Sequence, residues 1–152
     1  MEIYRLCRAG HADLSGTGAK LFGGRWNSRD KALVYCSEHR SLAALEYLAH
    51  FINNIIPDEL VMLTISVETG INIEEVKEVN LPANWKDYPP IHELSSIGDE
   101  WIKNSSSVIL KVPSVIIDYE YNYLINPLHK DFDKISITKN EKIRFDGRFM
   151  LN

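Results

Sequence analysis

Apolar residues recur at a strong helical spacing in one stretch of the chain. In 41–55, SLAALEYLAHFINNI, Leu42, Leu45, Ala49 and Ile52 fall three to four residues apart, with Leu48 beside them. The spacing predicts a helix, with Ser37 or Ser41 as its cap and Pro57 as its stop. A second, weaker helical pattern covers 91–104 and contains IGDEW. The other apolar runs are short and read as strands. Segment 2–7 is mixed and predicts an edge strand. ALVYC at 32–36 is a strand, and LVMLTISV at 60–67 is a buried strand by its length and β-branching. Segment 71–79 is a strand blurred by acidic residues, and 107–112, 115–118, 121–126, 134–137 and 142–145 complete the set. Between these runs, 8–24 holds five of the eight glycines and reads as a long loop of the kind that often carries function. Segment 80–90, with Pro82, Pro89 and Pro90, is a second loop. There is no internal repeat. Few helices among many short strands, without alternating strand–helix units, predict a single α+β domain over 1–152, built on central antiparallel or mixed sheets.

Composition narrows this picture only slightly. The 152 residues suit one domain with a core of its own, and 45% hydrophobic with 25% charged residues is ordinary for a globular chain. A net charge of −4 argues against a general polyanion-binding surface but leaves room for a local basic pocket. Two cysteines, Cys7 and Cys36, fit reduced thiols. The charged start, MEIYRLCRAG, has no apolar leader, and no apolar run reaches the ~18 residues of a membrane span, so the expected compartment is the cytoplasm with no membrane partner.

The chemistry-bearing residues exclude several site types. GTGAKLFGG matches neither phosphate-loop fingerprint, and the five histidines and two cysteines show no metal-ligand spacing, so no metal is expected. What remains is polar residues in apolar company. Arg25 follows Gly23-Gly24, where backbone and guanidinium can both approach a phosphate or carboxylate, although a turn before a surface arginine gives the same string. Tyr35 ends an apolar strand, either as a stacking platform or as a core tyrosine. Glu46 lies about 40° from Leu42 and 60° from Ala49 on a helical wheel of ~100° per residue. It borders the apolar face, where a carboxylate needs a partner or a cleft. Ser114 follows Pro113, as a turn residue or a ligand contact. Asn122, Asn126 and His129 interleave with aromatics in EYNYLINPLH and are candidates for pocket hydrogen bonds. Trp26, Trp85 and Trp101 read as core or rim.

GGRWN, then ALVYCSEHRSLAALEYLAH, IGDEWI, LKVPSVIIDYEYNYLINPLH and FDGRF together resemble the RES domain family, in family order from about residue 8 to 149. The resemblance implies a fold similar to ADP-ribosyltransferase toxins. It further implies a toxin of a bacterial toxin–antitoxin pair, whose partner is an Xre-like helical antitoxin that also binds DNA. The expected assembly is hetero-oligomeric, with a homodimer of the toxin left open. It implies consumption of NAD+ as a substrate, by hydrolysis or by phosphorolysis with inorganic phosphate as co-substrate, and no cofactor. The family's arginine, tyrosine, glutamate and serine fall on Arg25, Tyr35, Glu46 and Ser114, and its asparagine-rich segment on 122–126 with His129 following. The chain departs from the family at 28–31, SRDK, where a glycine is frequent.

Those residue types suit cleavage of the nicotinamide–ribose bond. Breaking it releases neutral nicotinamide and leaves a ribosyl cation of the kind that carboxylates stabilise in glycoside hydrolysis. Arg25 would anchor the pyrophosphate and Tyr35 clamp nicotinamide or ribose. Glu46 would stabilise the cation and orient the incoming water or phosphate, and Ser114 would hold the ribose or amide. Two other readings stand beside this one: transfer of ADP-ribose to a protein, and a non-catalytic nucleotide-binding or interaction module.

Overall fold

The computed structural model describes residues 1–50 and 59–149. Seven strands form one sheet: β1 (Glu2–Arg8), β2 (Val34–Ser37), β3 (Leu60–Val67), β4 (Ile73–Glu75), β5 (Ile109–Pro113), β6 (Tyr121–Ile125) and β7 (Ile135–Ile143). Their order is β4-β5-β6-β2-β1-β3-β7. Only the β4–β5 pair is parallel, so the sheet is mixed and the fold is α+β. Among the described residues three α-helices accompany it: α1 (Thr17–Phe22), α2 (Arg40–Ala49) and α3 (His92–Asn104).

Strand parity divides the apolar residues into layers. Ile3 and Cys7 of β1, Val34 and Cys36 of β2, Val61, Leu63 and Ile65 of β3, and Tyr123 and Ile125 of β6 form one cluster. Ala12, Leu14, Ile71 and Phe132 from the loops pack against it. The alternate residues form two separate clusters. Leu33, Leu110, Val112 and Leu124 pack with Leu94 and Trp101 of α3 and with Trp26 and Trp85. Leu6, Leu60 and Met62 pack with Ala43 of α2, flanked by Ala44, Tyr47 and Leu48. The three tryptophans are thus core residues. Between these two clusters β1 and β2 share one bridged pair, Tyr4 opposite Ser37, while the first cluster runs across both strands on the other face. By contrast β1 pairs with β3 along its whole length.

Several elements differ from expectation. Segment 2–7 is not an edge strand: β1 lies inside the sheet, because its charges sit at the strand ends or half-buried while Ile3, Leu6 and Cys7 are buried. The glycine-rich loop contains α1, which the glycines at its two ends bound. Of 71–79 only Ile73–Glu75 is strand. Segment 115–118 is a turn, because the Ser114 hydroxyl accepts bonds from the Ile116 and Ile117 amides at 3.0 and 3.3 Å and Tyr119 takes φ 66°. The strands expected at 134–137 and 142–145 are one strand, β7, whose polar middle hides no alternation because it is the exposed edge of the sheet. Its register against β3 shifts between Thr64 and Ile65. Neither Ser37 nor Ser41 caps α2: His39 precedes the helix and makes no side-chain cap bond. The part of the predicted 41–55 helix beyond 50, with Ile52 and Pro57, lies outside the described residues. No helix of the described residues is long and apolar enough to cross a membrane.

Candidate active site

Antiparallel pairing brings three strand ends to one end of the sheet. Asn122, near the start of β6, stands opposite Ser37 at the end of β2 and opposite Val112 near the end of β5. Ser114 follows β5 directly, and its amide donates to the Glu120 carbonyl at 2.9 Å. Tyr35 and Ser37 continue the parity of Leu33, and Asn122 that of Leu124, so all three belong to the face that carries α3. The chain enters α2 only a few residues after β2, and this places Glu46 over the same strand ends.

Glu46 is half-buried and gathers two donors. Asn122 Nδ2 donates to its Oε1 at 2.5 Å, and Ser114 Oγ donates to the same oxygen at 3.1 Å. Ser37 Oγ donates in turn to Asn122 Oδ1 at 2.7 Å. Both of these bonds to the carboxylate fall on Oε1 and neither engages Oε2. A charged acceptor with two oriented donors is the strong form of hydrogen bond.

Arg25 approaches from the turn at 23–27. The Gly24 amide donates to the Asn27 carbonyl at 2.9 Å, closing the turn. Asn27 is buried and ties that turn down: its Nδ2 donates to the carbonyls of Ala19, Ser28 and Lys31 at 2.9 to 3.1 Å. The Tyr35 hydroxyl donates to Asn27 Oδ1 at 2.8 Å and accepts from the Trp26 amide at 3.0 Å. Gly24 has to lack a side chain, because a Cβ there would stand 2.6 Å from the Tyr35 hydroxyl. The backbone of α3 seals the turn from outside. Asp99 Oδ1 accepts from the Ser28 amide at 3.0 Å, and at Gly98 a Cβ would meet the Trp26 carbonyl oxygen at 1.8 Å. The Arg25 guanidinium reaches across to the proline-rich loop, donating to the Trp85 carbonyl at 2.8 Å and to the Asp87 carbonyl at 3.3 Å from both terminal nitrogens.

Electrostatics follow from burial. Desolvation lowers the Arg25 pKa, while the negative charge of Glu46 and the Tyr35 phenol oppose it. Burial pushes the Tyr35 phenol well above the ordinary tyrosine value, so it stays protonated and remains a donor to Asn27.

The sequence-predicted residues therefore separate into three groups. Glu46, Ser114 and Asn122 meet directly, and Arg25 lies within electrostatic reach of Glu46. Tyr35 borders them, but its hydroxyl is committed to the turn that presents Arg25. Asn126 lies just past the other end of β6, about 13 Å from Asn122 at ~3.3 Å per residue, and His129 follows in the next turn. Asn126 Oδ1 accepts from the Leu128 amide at 3.0 Å. His129 Nδ1 accepts from the Asp131 amide at 3.0 Å, which makes Nε2 the donor to the Ser105 carbonyl at 3.1 Å, just past α3. Both are joints of the 126–131 turn and are not brought to Glu46. Sequence reasoning passed over Asn27 and read Ser37 only as a cap. The available signal was a buried-side polar residue completing the alternation Leu33, Tyr35, Ser37.

SRDK also finds an account here. Asp30 has φ 69°, the left-handed region where glycine is the default and aspartate among the better tolerated substitutes, and its amide donates to the Lys20 carbonyl at 2.8 Å.

A family model described as the RES domain matches residues 2–146. A protein of Photorhabdus laumondii subsp. laumondii named Toxin Res is 38% identical over 154 aligned positions, spanning 99% of this chain and 97% of the relative. The Prs ADP-ribosylating toxin of Sphingobium sp. (strain YBL2) is 38% identical over 140 positions, spanning 91% and 87%. Among solved structures, a chain of the M. tuberculosis MbcT–MbcA toxin–antitoxin complex superposes with a TM-score of 0.77 at 16% identity, over 93% of this chain and 83% of that one.

Proposed function

The chain belongs to the RES domain family, and from that premise we propose that it is the toxin of a bacterial toxin–antitoxin pair, acting by cleaving the nicotinamide–ribose bond of NAD+. The observation that carries this reading is the meeting of Glu46 with Ser114 and Asn122 within the field of the Arg25 guanidinium. A dinucleotide needs a cation for its pyrophosphate and an oriented carboxylate at the ribose that becomes cationic. Arg25 fills the first role. Its existing bonds to the Trp85 and Asp87 carbonyls hold the guanidinium plane in place before substrate arrives. Glu46 fills the second, with Oε1 pinned and Oε2 turned to the ribose hydroxyls or to the incoming water or phosphate. Ser114 fixes the carboxylate and borders the ribose. Tyr35 contributes by shaping the Arg25 turn, with its ring on the same face.

Purified protein incubated with NAD+ and followed by mass spectrometry tests the reading, with and without phosphate. Release of nicotinamide with ADP-ribose marks hydrolysis, and ADP-ribose-1″-phosphate marks phosphorolysis. Glu46→Gln keeps the shape of the side chain and removes its charge, so turnover should fall by about 10²-fold or more. NAD+ left intact by the wild-type protein would sink the proposal, as would full turnover by the variant.

A second reading, transfer of ADP-ribose to a protein, is favoured by the relative named as an ADP-ribosylating toxin. Labelled NAD+ in lysate decides it: label on a protein band supports transfer, and free nicotinamide without label supports cleavage. The structural neighbour comes from a toxin–antitoxin complex, which supports an antitoxin partner here. We assign that role to an Xre-like helical protein that covers the cleft in the cytoplasm and binds operator DNA.

A further inference from the structure

We propose that Ser37 is a positioning residue of the NAD+-cleaving site, acting on Glu46 through the Asn122 side-chain amide. The inference rests on the function proposed above and deepens it.

An asparagine amide presents two chemically opposite ends of nearly the same shape. Turned one way, Asn122 offers an N–H to the Glu46 carboxylate; turned the other way, it sets a carbonyl oxygen against a carboxylate oxygen and repels it. Ser37 removes that freedom. Its hydroxyl donates to Asn122 Oδ1 at 2.7 Å and so favours the orientation in which Nδ2 reaches Glu46 Oε1 at 2.5 Å. The two residues are directly opposed across the β2–β6 pair, so the backbone register fixes their distance. Ser37 is also buried, which keeps water from replacing its bond. On its other side the same residue is bridged to Tyr4, the one pairing between β1 and β2, so its backbone is held from both neighbouring strands. The Ser37 hydroxyl commits its bond to Asn122, and Asn122 in turn meets Glu46. Its effect on the carboxylate therefore passes through the Asn122 amide.

The test uses the purified full chain and NAD+, with kcat and KM for the wild type, Ser37→Ala, Ser37→Thr, Asn122→Ala and the double Ala variant. Ser37→Ala should lower kcat about tenfold, equivalent to ~1.4 kcal/mol, with KM within about twofold. Ser37→Thr, which keeps the hydroxyl, should recover most of the loss. The double variant should be no slower than Asn122→Ala alone, because Ser37 has nothing left to orient. An unchanged kcat in Ser37→Ala overturns the proposal, and so does a threonine variant as slow as the alanine one. A double variant about tenfold below Asn122→Ala also overturns it. If Ser37→Ala does not fold, Ser37→Cys, nearly equal in volume with a weaker donor, should give an intermediate kcat, and wild-type kcat overturns the proposal. A readout independent of turnover is the side-chain amide of Asn122 in a ¹H–¹⁵N spectrum. Its carboxylate-bonded proton should lie downfield in the wild type and move back in Ser37→Ala; an unmoved resonance overturns the inference. A wild-type protein that leaves NAD+ intact yet shows this shift would defeat the functional reading while keeping the positioning one.

Discussion

Replacing Gly98 by alanine sets two physical effects of opposite sign against each other. Gly98 lies in the middle of α3, on its buried face with Leu94 and Trp101. Alanine in a helix interior is favoured over glycine by ~1 kcal/mol, so an exposed site would gain stability. Here the new Cβ would stand 1.8 Å from the Trp26 carbonyl oxygen, where real Cβ contacts begin near 3.0 Å. The two backbones have to separate by about 1.2 Å, the difference of those figures. Neither partner is a flexible side chain. Overpacking of this kind costs ~1–3 kcal/mol even where side chains yield, and a backbone clash lies at the upper end. The net loss is about 2 kcal/mol, which for a chain of this size lowers Tm by about 4–8 °C. The displaced segment carries Arg25, and the adjacent Asp99–Ser28 bond is strained with it, so KM for NAD+ should rise several-fold. Circular-dichroism melts of the wild type and Gly98→Ala, with NAD+ kinetics on the same samples, check both effects. A Tm equal to or above that of the wild type would refute the close-contact argument and leave helix propensity as the dominant effect.

Tyr35→Phe removes the hydroxyl shared by the Trp26 amide and Asn27, so denaturant unfolding should show a loss of ~1–3 kcal/mol; unchanged stability would mean that the turn is held without it. Burial pushes the Cys36 thiol up to about 12 from an ordinary 9.0. The unfolded chain therefore ionises first, and the stability present below pH 9 is lost as pH rises towards 12; Cys36→Ala should flatten that decline in denaturant midpoints taken across pH 8–11. At pH 8 the thiol should also resist iodoacetamide until the protein is unfolded. Asp30→Gly should hold Tm within about 3 °C or raise it, because it relieves a left-handed residue, whereas Asp30→Val should lower Tm by several degrees.

The α+β class, both longer helices and the central strands were legible because each has a period that burial enforces. The errors fall where exposure or a single polar contact overrides the period. The β7 edge carries Lys139, Asn140 and Glu141 outward and reads as two fragments with a gap. VIID is apolar enough for a strand, yet the Ser114 hydroxyl bends it. Glu46 was visible as a carboxylate bordering an apolar helix face, and the structure supplies its partners. Ser114 and Asn122 were candidates from their local sequence, but only the resemblance set them beside Glu46, since nothing local marks a serine after proline as a carboxylate donor. Asn126 shares its residue type with Asn122 but sits four residues along the same strand, which is enough to reach the opposite end of the sheet. The bond between Arg25 and the Trp85 and Asp87 carbonyls joins segments 60 and more residues apart, a separation that periodicity does not register.

The single bridged pair between β1 and β2 divides the labour of the site. Asn122, Ser114 and the Arg25 turn belong with β2, β5, β6 and α3 on one side of it, whereas Glu46 rides on a helix seated chiefly against β1, with Leu60 and Met62 of β3 in the same cluster. The carboxylate and its donors are therefore mounted on different elements, joined beneath by the core cluster that runs across β1, β2, β3 and β6. The geometry of the carboxylate therefore depends on how α2 seats on β1, and not only on the strand that carries Asn122. On the proposed function, a substitution in the α2–β1 seam, far from any substrate contact, would mistune the carboxylate as surely as one beside it.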